Sequence, residues 1–186
     1  MLEVLTKGCE PTIGTEFSAC IDLYAAHDLK LHTGETNLIG LGVKIDLQEL
    51  ASNLFFDDVP IEEWDQALSA IECKVRVREW KKFLSSHYIK LSLRSSMAMK
   101  GYRIANSEGI IDLDYPDEIK LIVEKPVCLD DLTENSSDCL CHVEIYTEVI
   151  DKGAKIAQAM ICEHKTNLFG VRTKEKRIGG LGSTDA

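Results

Sequence analysis

Positive charge is in short supply in this sequence: 21 lysines and arginines face 31 aspartates and glutamates, a formal net charge of −10. Such a surface repels a nucleic-acid backbone, so no polymeric DNA or RNA partner is expected. A small polyphosphate remains open, provided a local basic cluster and a divalent cation neutralise it. A long apolar run is also missing, which argues against a helical membrane crossing. The opening residues Met1-Leu2-Glu3-Val4-Leu5 lack a basic region followed by an apolar stretch, so no signal peptide is expected. The expected location is the cytoplasm, or a host's cytoplasm if the protein is viral. Seven cysteines are present, but Cys139-Leu140-Cys141 is the one close pair and no second pair stands at ligand spacing. That argues against a zinc site and for reduced thiols. Internal repeats and low-complexity tracts are absent.

What is present suits one domain with an insertion: 186 residues, 45% hydrophobic and 28% charged. Most of the chain reads as short strands. From His87 to Leu93 apolar and polar residues alternate, with Ile89, Leu91 and Leu93 on one face. Residues Glu118 to Glu124 form a compact apolar strand, Val143 to Val149 alternate again, and Ile156 to Cys162 are another apolar segment. Turn residues such as Thr33-Gly34 and Lys152-Gly153 separate the runs. This pattern predicts an all-β barrel or jelly roll. Between Gln48 and Ser86 the period becomes helical. Trp64, Ala67, Leu68 and Ile71 form one stripe after the start signals Asp57, Asp58 and Pro60, and Trp80, Phe83, Leu84 and His87 form a second. Two inserted amphipathic helices are expected there, packed on the barrel wall or offering a surface to a protein partner. Residues Glu124 to Ser137 read as a solvated loop.

Several short segments carry chemistry. In Gly109-Ile110-Ile111-Asp112-Leu113-Asp114-Tyr115 an aspartate stands between a turn and a strand, where a carboxylate can act as a general base toward water. In Leu93-Arg94-Ser95-Ser96-Met97-Ala98 a strand ends in a guanidinium and two hydroxyls, a combination that holds phosphate oxygens or, equally, makes a structural ion pair and a helix cap. The tail Lys176-Arg177-Ile178-Gly179-Gly180-Leu181-Gly182-Ser183-Thr184 joins basic charge to glycines whose backbone N–H groups can approach an anion, though such an end can equally be a disordered terminus. Asp22 sits on the strand-like segment Phe17 to Leu23, and Gln158 closes Gly153-Ala154-Lys155-Ile156-Ala157-Gln158.

Together and in this order, these five segments resemble the motifs of the trimeric deoxyuridine triphosphatase family: Ala19 to Leu23, Arg94 to Ala98, Asn106 to Tyr115, Gly153 to Gln158 and Gly179 to Thr184. The resemblance implies a jelly-roll-like β-barrel over residues 1–47 and 87–172, interrupted by a helical insertion at 48–86 and followed by a flexible glycine-rich arm at 173–186. It implies a homotrimer whose subunits share their active sites. It also implies hydrolysis of dUTP to dUMP and pyrophosphate with magnesium, an activity that limits uracil in DNA and supplies dUMP. On that likeness Asp112 is the general base that orients the attacking water, Tyr115 packs on the deoxyribose, and Asn106 and Gly109 belong to the hairpin that reads uracil. Arg94, Ser95, Ser96 and Gln158 contact phosphates, and Asp22 supports the magnesium ion through its waters. Lys176 or Arg177, with Gly182, Ser183 and Thr184, closes over the γ-phosphate.

The sequence departs from the family pattern in places. Leu181 stands where a phenylalanine usually covers uracil, Cys20 where glycine is common, Ala154-Lys155 where Asp-Arg is common, and Asp117 where glycine is favoured. Two rival readings remain. A dCTP deaminase has a similar fold and an Arg-Ser-Ser segment, but needs a glutamate where Ile122 stands, with Glu124 two residues on. A regulatory binding protein could use the helical insertion instead of, or beside, the catalytic motifs.

Overall fold

A computed structural model of the chain describes residues 1–56, 59, 63, 69–127, 132–134, 141–143 and 147–171. The strands are β1 (Leu2–Val4), β2 (Thr12–Ile13), β3 (Ile21–Tyr24), β4 (Leu29–His32), β5 (Thr36–Gly40) and β6 (Val43–Ile45), then β7 (His87–Leu93), β8 (Arg103–Ile104), β9 (Gly109–Asp112) and β10 (Lys120–Glu124), and finally β11 (Leu132–Glu134), β12 (Cys141–Val143), β13 (Thr147–Ile150) and β14 (Lys155–Glu163). Among the described residues three α-helices accompany them: α1 (Leu47–Phe55), α2 (Ala70–Leu84) and α3 (Ser95–Met99). The chain is mainly β. Among the described residues its strands are spread over five sheets rather than one closed barrel.

The largest sheet orders its strands β2-β3-β14-β7-β9, each neighbour antiparallel. The alternation along β7 explains its place: Ile89 and Leu91 turn into the core and Leu93 packs against it, while Tyr88, Lys90 and Ser92 face the other way. A three-stranded sheet, β5-β10-β8, supplies Ile39, Leu121 and Val123 to the same core. Lys152-Gly153 makes the expected turn into β14, with Gly153 at φ +79, where a side chain would be strained.

Local readings change in three places. The stretch Val143 to Val149 belongs to two strands with different partners, β12 on β11 and β13 on β4. Strand β11 itself lies in the segment read as a loop; three residues are too few to show a period. In the helical region a further helix, α1, precedes both expected stripes; its N-cap is Asp46, whose Oδ1 accepts from the Gln48 and Glu49 amides at 2.9 Å. Asp57, Asp58, Pro60, Trp64, Ala67 and Leu68 lie outside the described residues, and Ile71 belongs to α2. That helix starts at a capping box formed by Ser69 and Glu72. His87 is the first residue of β7, yet its ring stacks on Phe83 at 4.2 Å between centroids. Phe83 in turn meets Phe55 and Trp80 at 5.6 and 5.9 Å, which ties α1 to α2.

Helix α1 is joined to the core through Leu50, which is 1% exposed, whereas Leu54 on its other side is 46% exposed. Replacing Leu50 with alanine should therefore cost about 2–5 kcal/mol through lost burial and the cavity left behind. Leu54→Ala should stay within about 0.5 kcal/mol. Urea unfolding of the two variants checks the contrast.

Candidate functional site

The five-stranded sheet turns one face to the core and carries Asp22, Gln158 and Asp112 on the other. Direct partners across an antiparallel pair share a face. Ser92, Gln158, Asp22 and Thr12 therefore form one row across β7, β14, β3 and β2. Two residues along comes Ile110-Lys90-Met160, and two further along Asp112-Tyr88-Cys162.

Asp22 is the centre of the first row. It is 4% exposed, and its carboxylate is held by Arg94, by the Lys155 ammonium at 3.0 Å and by the Gln158 amide at 3.4 Å. Burial pushes its carboxyl up, but the hydrogen bonds from Lys155, Arg94 and Gln158 and the Arg94 charge outweigh this, so the group lies below its ordinary range. Arg94 leaves β7 at this end, its amide donating to the Ile156 carbonyl at 3.1 Å. Its side chain, with Asp22 and Gln158, lines a cleft of about 380 Å³ completed by Gly14, Ser18, Ala19 and Cys20. The loop before β3 is shaped by Ser18, whose hydroxyl accepts from the Thr15 amide at 2.9 Å. Ser95 and Ser96 follow Arg94 in the first turn of α3, both exposed, while Met97 anchors that helix in the core.

The other expected residues stand elsewhere. Asn106 is exposed in the turn between β8 and β9, and Ser107 beside it adopts φ 69. Gly109 starts β9 so close to β7 that an added Cβ would lie 2.7 Å from Leu91 Cβ; the sheet leaves no room for a side chain there. Asp112 ends β9 and is exposed. Tyr115 is 6% exposed and belongs to the core cluster, so little of its ring faces outward. Lys176, Arg177, Gly182, Ser183 and Thr184 lie outside the described residues. Glu124, the carboxylate next to the deaminase position, is paired with Arg103 at 2.7 Å.

One chain brings Asp22, Arg94 and Gln158 together but holds Asp112 away from them. Tyr88 and Ser92 are four residues apart, about 13 Å along the strand, and three strand spacings from β9 to β3 add about 14 Å across it, so Asp112 and Asp22 are roughly 20 Å apart. Lys155, Gly14 and Ser18 are the site residues that the motif readings passed over as ligands. Lys155 was within reach of notice, because it lies inside the Gly153 to Gln158 segment.

Among the described residues no group of three or more His, Cys, Asp or Glu side chains is arranged to hold a metal ion. A magnesium ion here would need its ligands from phosphate oxygens and water. Asp22 fits that secondary role: its oxygens accept three donors of the roughly four that a carboxylate can take, leaving room for a metal-bound water.

No model of a known protein family matches the chain. A deoxyuridine 5'-triphosphate nucleotidohydrolase of Rickettsia akari is 29% identical over 185 residues, spanning 96% of this chain and 89% of that protein. Among solved structures, a dUTPase mutant of Staphylococcus bacteriophage 80alpha with dUpNHpp is similar with a TM-score of 0.55 at 18% identity, covering 98% of this chain and 89% of that one. A dUTPase mutant from phage phi11 of S. aureus, in which a structural Mg(II) ion is coordinated, has a TM-score of 0.54 at 15% identity, covering 98% and 97%. These two show the shared fold, and the Rickettsia sequence extends the likeness across nearly the whole length. With its five motif-like segments in the same order, the chain is similar to deoxyuridine triphosphatases in both sequence and fold.

Proposed function

We propose that this chain hydrolyses dUTP to dUMP and pyrophosphate by attack of water on the α-phosphorus, in sites that copies of the chain build together as a homotrimer. The observation that carries this reading is the cationic cluster around Asp22 beside an open cleft, on the same sheet face as Asp112. In-line attack requires the activated water to lie about 3–3.5 Å from the phosphorus. A carboxylate that activates this water and one that supports the same phosphates' counter-ion must therefore be near neighbours. Roughly 20 Å separates Asp112 from Asp22 within one chain, so Asp112 of one copy has to meet Asp22, Arg94 and Gln158 of another.

In that arrangement Arg94 offers guanidinium N–H groups to phosphate oxygens, bidentate where a phosphate allows it. Gln158 donates its amide beside it, and the exposed hydroxyls of Ser95 and Ser96 add donors at the start of α3. Asp22 would hold a magnesium ion through its waters. When bound on the triphosphate, that ion neutralises charge and polarises the attacked centre. Asp112 orients the water and takes its proton. The tight β9–β7 contact at Gly109 fixes the hairpin that presents Asn106 to the base. Lys176, Arg177, Gly182, Ser183 and Thr184 are assigned to the γ-phosphate. A pyrophosphate-release assay over the deoxynucleoside triphosphates, with and without magnesium, tests the reading; release from dUTP selectively and with magnesium is expected, and ammonia release from dCTP would overturn it.

Asp112→Asn should lower turnover about a hundredfold to ten-thousandfold while dUTP still binds. Single-turnover rates and nucleotide titration check this. A shared site also predicts complementation. Asp112→Asn and Asp22→Asn homotrimers, each impaired alone, should regain activity when mixed under conditions that exchange subunits, because about a quarter of the interfaces then join two intact halves. Absence of any gain after proven exchange would mean that each chain builds its site alone.

A further inference from the structure

Strand β14 changes its alternation where it passes Asp22. Gln158 stands opposite Asp22 and Ala157 opposite Leu23, but the next partner of Tyr24 is Lys155, so Ile156 is the extra residue of a β-bulge. Ile156 and Ala157 are consequently both buried in the core. In a regular strand Ile156, two residues before Gln158, would share its face and Lys155 would point into the core. The bulge reverses this and puts the Lys155 ammonium 3.0 Å from Asp22 Oδ2 and 5.7 Å from the centre of the Tyr24 ring. The ring is itself fixed, since the Tyr24 hydroxyl meets the Thr12 hydroxyl at 2.5 Å. Arg94 uses one guanidinium nitrogen, Nη1, on the other oxygen, Oδ1.

We propose that Lys155 is a positioning residue: placed by the bulge, it occupies one oxygen of Asp22, so that Arg94 holds the other oxygen end-on and keeps its remaining N–H groups for the substrate's phosphates. A guanidinium left alone with a buried carboxylate adopts the two-bond, fork-to-fork pairing, which would turn Arg94 away from the cleft. Lys155 prevents that pairing by filling the second place. It is half exposed, so its own contribution to folding is small. The proposal rests on the phosphate-binding reading of Arg94 given above.

The test is Lys155→Met, with Lys155→Arg as the conservative partner and Asp22→Asn as the background. Lys155→Met should raise KM for dUTP about tenfold, the weight of one charge-assisted hydrogen bond, with kcat within about twofold. Lys155→Arg should restore most of the loss. In Asp22→Asn the same Lys155→Met change should have less than about a twofold further effect, because the residue acts through Asp22. A crystal structure of Lys155→Met should show Arg94 with two nitrogens on Asp22. An unchanged KM in a folded Lys155→Met protein, or a full tenfold loss in the Asp22→Asn background, which would mean direct contact with phosphate, overturns the proposal. If the wild-type protein releases no pyrophosphate from dUTP, the functional reading fails by itself. The position of Arg94 in the Lys155→Met crystal then still decides the role of Lys155.

Discussion

One buried carboxylate, Asp22, joins the parts of the molecule that form the candidate site. It lies on β3, and its partners come from β7 through Arg94 and from β14 through Lys155 and Gln158. An uncompensated charge at this depth would be expensive, whereas three donors make the group tolerable and turn it into a fixed point. The donors are thereby oriented too. Arg94 and Gln158 reach the rim of the cleft in set directions, and a net excess of positive charge collects there on a chain whose overall balance is strongly negative. The local sign, opposite to the global one, suits an anionic ligand on an otherwise acidic protein.

The same sheet imposes the second constraint. Asp22 and Asp112 share one face but stand roughly 20 Å apart on it, too far for both to reach one small substrate within a single chain. Packing another copy against that face would bring its two ends together, and Ile110, 59% exposed in the row with Lys90 and Met160, is an apolar residue that such a contact would cover.

Much of this was legible beforehand, and the exceptions have physical causes. The alternation along β7 located both its core face and the exit of Arg94, because a seven-residue strand repeats its period several times. Gly109 was visible as part of a motif, but the reason for it, the approach of Leu91, exists only once β9 and β7 are paired. Strand β11 was missed because its three residues are too few to show a period. The role of Lys155 was hidden for a different reason. A strict period of two puts Ile156 beside Gln158, and only a bulge, which leaves no mark in composition, exchanges the two. Helix α1, capped by Asp46, was not singled out, since the helical stripes read from the sequence begin later, at Trp64 and Trp80.

Strand order in the central sheet has a consequence for how the protein is made. The middle strand, β14, is the latest of the five in the sequence, and its contact between Gln158 and Asp22 spans 136 residues. During synthesis β3 and β7 emerge from the ribosome with no strand between them, each presenting an open hydrogen-bonding edge. The loop that must close before they are joined is among the longest in the chain, and closure of such non-local pairings is slow. The nascent protein can therefore pair β2 with β3 and β7 with β9 before β14 emerges, and its central sheet is completed late. Until residue 163 has left the exit tunnel, two strand edges are exposed to any neighbouring chain, a window in which chaperone capture and aggregation compete with folding.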